Sequence, residues 1–133
     1  MNLLLDSHTI IWSICDSKKL PGSLAARLAS PENRVAVSAV SFWEIALKLA
    51  LGKLVMENIT PDQLREKALE TGYELIPIHA EDAATFNTLP RLEHKDPFDR
   101  MLVWQAIRGG YHLVSLDQAL KVYEAHGLKQ IWK

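Results

Sequence analysis

One cysteine, Cys15, is all that the 133 residues contain. Its isolation excludes an internal disulfide and any thiolate-rich zinc or iron–sulfur centre. Cys15 itself reads as a small hydrophobe within a helix, and the fold must rest on its apolar core. The length suits one domain, residues 1–133, large enough to bury a single core unaided. Long hydrophobic runs are missing as well. Although 48% of the residues are hydrophobic, none of the stretches approaches the roughly 20 residues of a membrane-spanning helix. Val35 to Leu51 comes nearest and is broken by Glu44 and Lys48. A basic segment followed by an apolar one is also lacking at the N-terminus, so Leu3-Leu4-Leu5 reads as a buried strand rather than a signal peptide. The expectation is a cytoplasmic protein with no membrane partner.

Charge of one sign is scarce too: 15 basic against 16 acidic residues leave a formal net charge of -1. Binding of nucleic acid would therefore need a local basic face. Lys18, Lys19, Arg91, Lys95, Arg100 and Arg108 are candidates for one, or are ordinary solvated charges. Two phosphate-binding signatures are absent, GxxxxGK[ST] and GxGxxG, which argues against P-loop nucleotide hydrolysis and dinucleotide redox chemistry. No Ser-His-Asp or Cys-His ordering stands out.

What is present is an alternation of strands and helices. Asn2 to Leu5 is a short apolar run, followed by Ile10, Ile11 and Ile14 at helical spacing. Pro21-Gly22 and Ser30-Pro31 bracket a short helix, and Arg34 to Val37 is a second strand leading into a helix from about Ser41 to Leu51, ended by Gly52. A helix from Thr60-Pro61-Asp62 to Gly72 precedes a strand from Tyr73 to Ile76, and Ala80 to Leu89 reads as helical. After a polar connection, a helix runs from Pro97 to Arg108, followed by a strand from Tyr111 to Val114, a helix from Gln118 to Ala125 and an edge strand near Gln130 to Trp132. Such alternation predicts an α/β fold with a mainly parallel central sheet and helices on both faces, whose ligands bind beyond the carboxyl ends of the strands.

Acids fall repeatedly at those ends. Asp6 closes the first strand, Asp117 follows Val114-Ser115, and Glu44 and Asp99 sit in the first turn of helices that can enter the same crevice. Each has a purely structural explanation. Asp96-Pro97 is a good helix start, Asp99 complements the helix dipole, and Ser41 with Glu44 reads as a capping box. Together, though, four acids converging without four bases must either spread apart or hold a cation. Oxygen donors without a histidine or thiolate cluster favour Mg²⁺ or Mn²⁺ over zinc. A hard cation there suits hydrolysis of a phosphodiester.

Leu4-Leu5-Asp6-Ser7-His8-Thr9, Ser38 to Ala46 with Leu51-Gly52-Lys53-Leu54, the run Asp96 to Ala106, and Leu113 to Asp117 together resemble a PIN domain of the VapC toxin type, in order and spacing across essentially the whole chain. The resemblance implies a PIN-like three-layer α/β/α domain and a Mg²⁺- or Mn²⁺-dependent endoribonuclease. Asp6, Glu44, Asp99 and Asp117 match the family's acidic quartet, and attack on RNA would leave a 5′-phosphate. It also implies the toxin half of a toxin–antitoxin pair, a homodimer, and an antitoxin peptide in a groove near the active site. Asp96 matches a further acid of the subgroup and takes a supporting or capping role. The family often has Thr where this chain has Ser7 and Ser115; the hydroxyl is kept, and Ser115 could position Asp117 or a water. His8 and His94 flank the pocket as candidates for phosphate contact or proton transfer, and Arg100 for pairing with an acid or with RNA phosphate. Trp12, Trp43 and Trp104 read as core or dimer-interface residues. The rival readings are a phosphoacceptor signalling domain with a flavodoxin-like sheet and a non-catalytic binding module.

Overall fold

The computed structural model describes all residues from Met1 to Lys133. Its strands are β1 (Asn2–Leu5), β2 (Arg34–Ser38), β3 (Glu74–Ile76), β4 (His112–Val114) and β5 (Lys129–Ile131), hydrogen-bonded in the order β3-β2-β1-β4-β5. Every pairing is parallel. The helices are α1 (Ser7–Cys15), α2 (Gly22–Ala29), α3 (Ala39–Ala50), α4 (Pro61–Thr71), α5 (Ala80–Thr85) and α6 (Pro97–Gly109), and a 3₁₀ helix spans Gln118–His126. No helix is long and apolar enough to cross a membrane.

Side chains alternate across a pleated strand, and a parallel sheet is covered on both faces. Leu3 and Leu5 of β1 accordingly enter one apolar cluster, with Ile10, Val37, Ile45 and Leu64, while Leu4 enters the other, with Leu102, Val103, Leu113 and Tyr123. The result is three layers, as expected. A flavodoxin-like sheet has the order 2-1-3-4-5, so the strand order seen here departs from the phosphoacceptor alternative.

Two local expectations are corrected. Helix α3 begins two residues earlier than its sequence suggests, at Ala39: Ser38, at the end of β2, is the N-cap, and its hydroxyl accepts from the Val40 N–H at 3.1 Å. Ser41 and Glu44 therefore form no capping box. The segment after Asp117 is wound as a 3₁₀ helix rather than an α-helix. Cys15 ends α1 at an exposed position.

The strand order decides where a site can form. Neighbouring β1 and β4 continue in opposite directions across the sheet, and the crevice at such a switch point is where open α/β sheets bind ligands. Leu5 lies level with both Val37 and Val114, so the segments after β1, β2 and β4 leave the sheet side by side.

Candidate functional site

Asp6 follows β1 directly and caps α1. Its Oδ1 accepts from the Thr9 N–H at 2.9 Å, and the Thr9 hydroxyl lies 2.6 Å from the same oxygen and 3.0 Å from the Val114 carbonyl. That hydroxyl ties the first acid to the end of β4. On the β4 side, the buried Ser115 hydroxyl accepts from the Asp117 N–H at 3.1 Å, and Asp117 Oδ1 caps the 3₁₀ helix through the Ala119 N–H at 2.9 Å. Asp96 caps α6 with Oδ1, which accepts from Phe98 and Asp99. One carboxylate oxygen of Asp6, Asp96 and Asp117 is thus taken by backbone, which fixes the side chain and leaves the second oxygen unbonded.

Glu44 is held differently. It is only 4% exposed, with Oε1 accepting from the Ser7 hydroxyl and Oε2 from the Lys48 ammonium one helical turn on, each at 2.5 Å. The charge-assisted bond to Glu44 raises the Lys48 pKa above the usual lysine value. Asp99 Oδ2 lies 3.1 Å from His94 Nε2. Burial pushes the Asp99 carboxyl up to about 6, reinforced by the charges of Asp96 and Glu44 and opposed by its hydrogen bond to His94.

These residues surround a cleft of about 200 Å³ lined by Asp6, Ser7, His8, Glu44, Lys48, Asp99 and Asp117. Oxygens of Glu44, Asp96 and Asp99 lie within 4.8 Å of one another, and so do ligand atoms of His94, Asp99 and Asp117. Asp99 is common to both groups. Asp6 shares the cleft but belongs to neither group, so the quartet is gathered around Asp99 rather than packed as four equals. The residues fit a hard cation. The free donors are carboxylate oxygens, and burial, with the charges of Asp96 and Glu44 adding to it, holds the Asp99 pKa up, so a cation there would favour its ionised form.

Several expectations change. Two bases balance the acids after all, Lys48 on Glu44 and His94 on Asp99. Lys48 was discernible from its i, i+4 spacing to Glu44. Arg100 turns away from the cleft: its guanidinium stacks on Phe86 and donates to the Leu89 carbonyl at 3.2 Å. Of the other candidate bases, Arg108 pairs with Asp82 and Glu81, and Lys19 with Asp16. Trp104 is anchored by its indole N–H to the Asp82 carbonyl, and Trp12 packs against Trp132. Trp43 is 59% exposed and is not a core residue.

The fold and the cleft define a class: a parallel α/β domain with a carboxylate-lined cleft at its topological switch point. The family model described as PIN domain matches residues 3–125, and the chain belongs to that family. It is 28% identical over 131 residues to Ribonuclease VapC22 of Mycobacterium tuberculosis (strain ATCC 25618 / H37Rv), with 98% of each chain covered. Among solved structures it resembles VapBC2 from Rickettsia felis, bound to a DNA fragment from its promoter, with TM-score 0.74 and 17% identity over the whole of both chains. A toxin–antitoxin complex from Klebsiella pneumoniae aligns with TM-score 0.55 and 20% identity, covering 91% of this chain and 89% of that one.

Proposed function

We propose that this protein is a divalent-metal-dependent endoribonuclease that hydrolyses RNA phosphodiester bonds as the toxin of a toxin–antitoxin pair. The observation that carries the reading is Asp99, shared by two groups of ligand atoms in a carboxylate cleft at the switch point of a PIN domain. The naming of VapC22 as a ribonuclease supports the choice of RNA.

Mg²⁺ or Mn²⁺ in this cleft would polarise a phosphoryl oxygen and lower the pKa of a bound water. Asp6, Glu44, Asp99 and Asp117 would hold it, the three aspartates through the oxygens that backbone and His94 leave free. Glu44, clamped by Ser7 and Lys48, would keep its carboxylate fixed beside the ion and help orient the water for in-line attack, which would leave a 5′-phosphate. His94 steadies the ionised form of Asp99 through Oδ2. Ser115 fixes the loop that presents Asp117. The chain acts in the cytoplasm, and its antitoxin silences it by placing a basic side chain among the free carboxylate oxygens, where a guanidinium can take two carboxylates at once and displace the metal.

Asp6→Asn, Glu44→Gln, Asp99→Asn and Asp117→Asn should each slow cleavage of a single-stranded RNA by on the order of a hundredfold or more. Circular dichroism should show every variant folded. Wild-type rates in Asp99→Asn, or undiminished cleavage by the wild type in EDTA, would refute the mechanism.

A further inference from the structure

A second cavity, of about 300 Å³, opens beside the acidic cleft and shares Ser7, His8, Glu44 and Lys48 with it. Its character is different. Ile11, Ile45 and Leu54 give it apolar walls, and Lys48 and Lys53 place two cations at its rim. Local backbone geometry brings Lys53 there. Gly52 adopts φ +72°, a left-handed conformation that a side chain would strain. The turn it makes lets the N–H groups of Lys53 and Leu54 both donate to the Lys48 carbonyl, at 2.8 and 3.2 Å. The chain thereby folds back over the end of α3 and sets Lys53 and Leu54 against the same cavity.

Lys48 is committed to Glu44, whereas Lys53 takes part in no ion pair. An uncommitted cation at the edge of an apolar hollow calls for a ligand with an anion and a flat apolar surface a short distance apart. Single-stranded nucleic acid repeats that pair at every nucleotide, and its binding sites join basic residues along the backbone with surfaces for the bases. A basic peptide drawn to the carboxylates would instead meet repulsion from Lys48 and Lys53. The volume lies at the lower end of the roughly 300–1,000 Å³ of small-ligand sites, enough for one nucleotide unit.

We infer that this cavity seats the nucleotide next to the scissile phosphodiester: Lys53 binds its phosphate, and Ile11, Ile45 and Leu54 receive its base or sugar. The inference rests on the ribonuclease reading and adds a substrate-positioning subsite to it. Such a site sets the orientation of the strand, so it governs KM and salt dependence more than the chemical step.

The test is steady-state cleavage of a short single-stranded RNA with Mn²⁺ at several KCl concentrations, comparing wild type, Lys53→Ala, and Lys129→Ala. Lys129 begins β5 at the opposite edge of the sheet and controls for net charge. Lys53→Ala should raise KM on the order of tenfold at low salt, and the slope of log KM against log salt should fall by about 0.7, the share of one single-strand phosphate contact. Lys129→Ala should track the wild type. A second comparison places an abasic nucleotide beside the cut: the wild type should lose affinity for it, and Leu54→Ala should discriminate less. Wild-type KM and slope in Lys53→Ala would overturn the subsite. Unchanged RNA kinetics in Lys53→Ala together with loss of a bound partner protein would assign the cavity to that partner instead. A wild type that cleaves no RNA would remove the ribonuclease reading itself, an outcome distinct from both.

Discussion

Asp99 stands between opposing influences: burial and the charges of Asp96 and Glu44 favour its protonated form, while His94 favours the ionised one. With the carboxyl at about 6 in the folded chain and about 3.9 when unfolded, the native state holds more protons across that interval. The Asp99 contribution to the stability of the metal-free protein is therefore fully present below about pH 4, declines as pH rises through the folded pKa, and levels off above it. Asp99→Asn mimics the protonated form. In EDTA it should melt above the wild type at pH 7 and equal to it near pH 4, as differential scanning calorimetry can measure. Adding Mn²⁺ at pH 7 should reverse the order, because an ion bound only by the folded state raises stability by roughly 2.7 kcal/mol at a hundred times its Kd. Equal melting temperatures at pH 7 without metal would mean that the repulsion is relieved some other way.

At the scale of elements, the start of α3 is where local signals misled. Ser41-Phe42-Trp43-Glu44 has the spacing of a capping box, but the chain has already turned helical at Ala39, because the Ser38 hydroxyl, fully buried at the strand end, both caps the helix and donates to Gln105 Oε1 at 2.6 Å. Gln105 in turn donates to the Pro77 carbonyl after β3. A tertiary polar link thus outweighs a local pattern, and it frees Glu44 to face the cleft. Ser38→Ala should cost roughly 2–3 kcal/mol, one cap plus one buried acceptor left unpaired. Ser41→Ala should cost well under half as much, its hydroxyl having only a 3.5 Å approach to the Leu5 carbonyl. Urea unfolding compares them directly, and the reverse ranking would restore the capping box. The strands and most helices were legible because apolar runs, Pro and Gly mark them within a few residues. Asp6 and Asp117 after strands and Asp99 in the first turn of α6 were legible for the same reason, whereas Glu44 lies beyond the first turn of α3. His94 on Asp99, the turning away of Arg100 and the partition of the acids around Asp99 were not, because they depend on rotamers and on packing between segments far apart in sequence.

For the whole molecule, the exterior of α3 remains to be accounted for. Trp43, Leu47 and Leu51 recur every four residues, which lines them along one face, and their exposures are 59%, 38% and 58%. A contiguous exposed apolar stripe of this kind is a candidate interaction site. The ring of Trp43 also packs edge-on against Phe98, with centroids 4.9 Å apart, and Phe98 precedes Asp99 directly. A second copy of the chain meeting this face would hold α3 against the start of α6, and so buttress both helices that carry Glu44 and Asp99 into the cleft. The expectation is a homodimer built on this stripe. Sedimentation equilibrium should give the wild type twice the 15.0 kDa mass of one chain. Trp43→Glu should sediment as the single chain, since burying an unpaired carboxylate in an apolar interface is strongly unfavourable. Because the stripe adjoins the cleft, the same variant should also lose cleavage activity as it dilutes to monomer, whereas Val122→Glu, an exposed apolar position on the 3₁₀ helix, should keep the dimer. A wild type that remains a single chain at high concentration, or a Trp43→Glu variant that stays dimeric, would place the interface elsewhere.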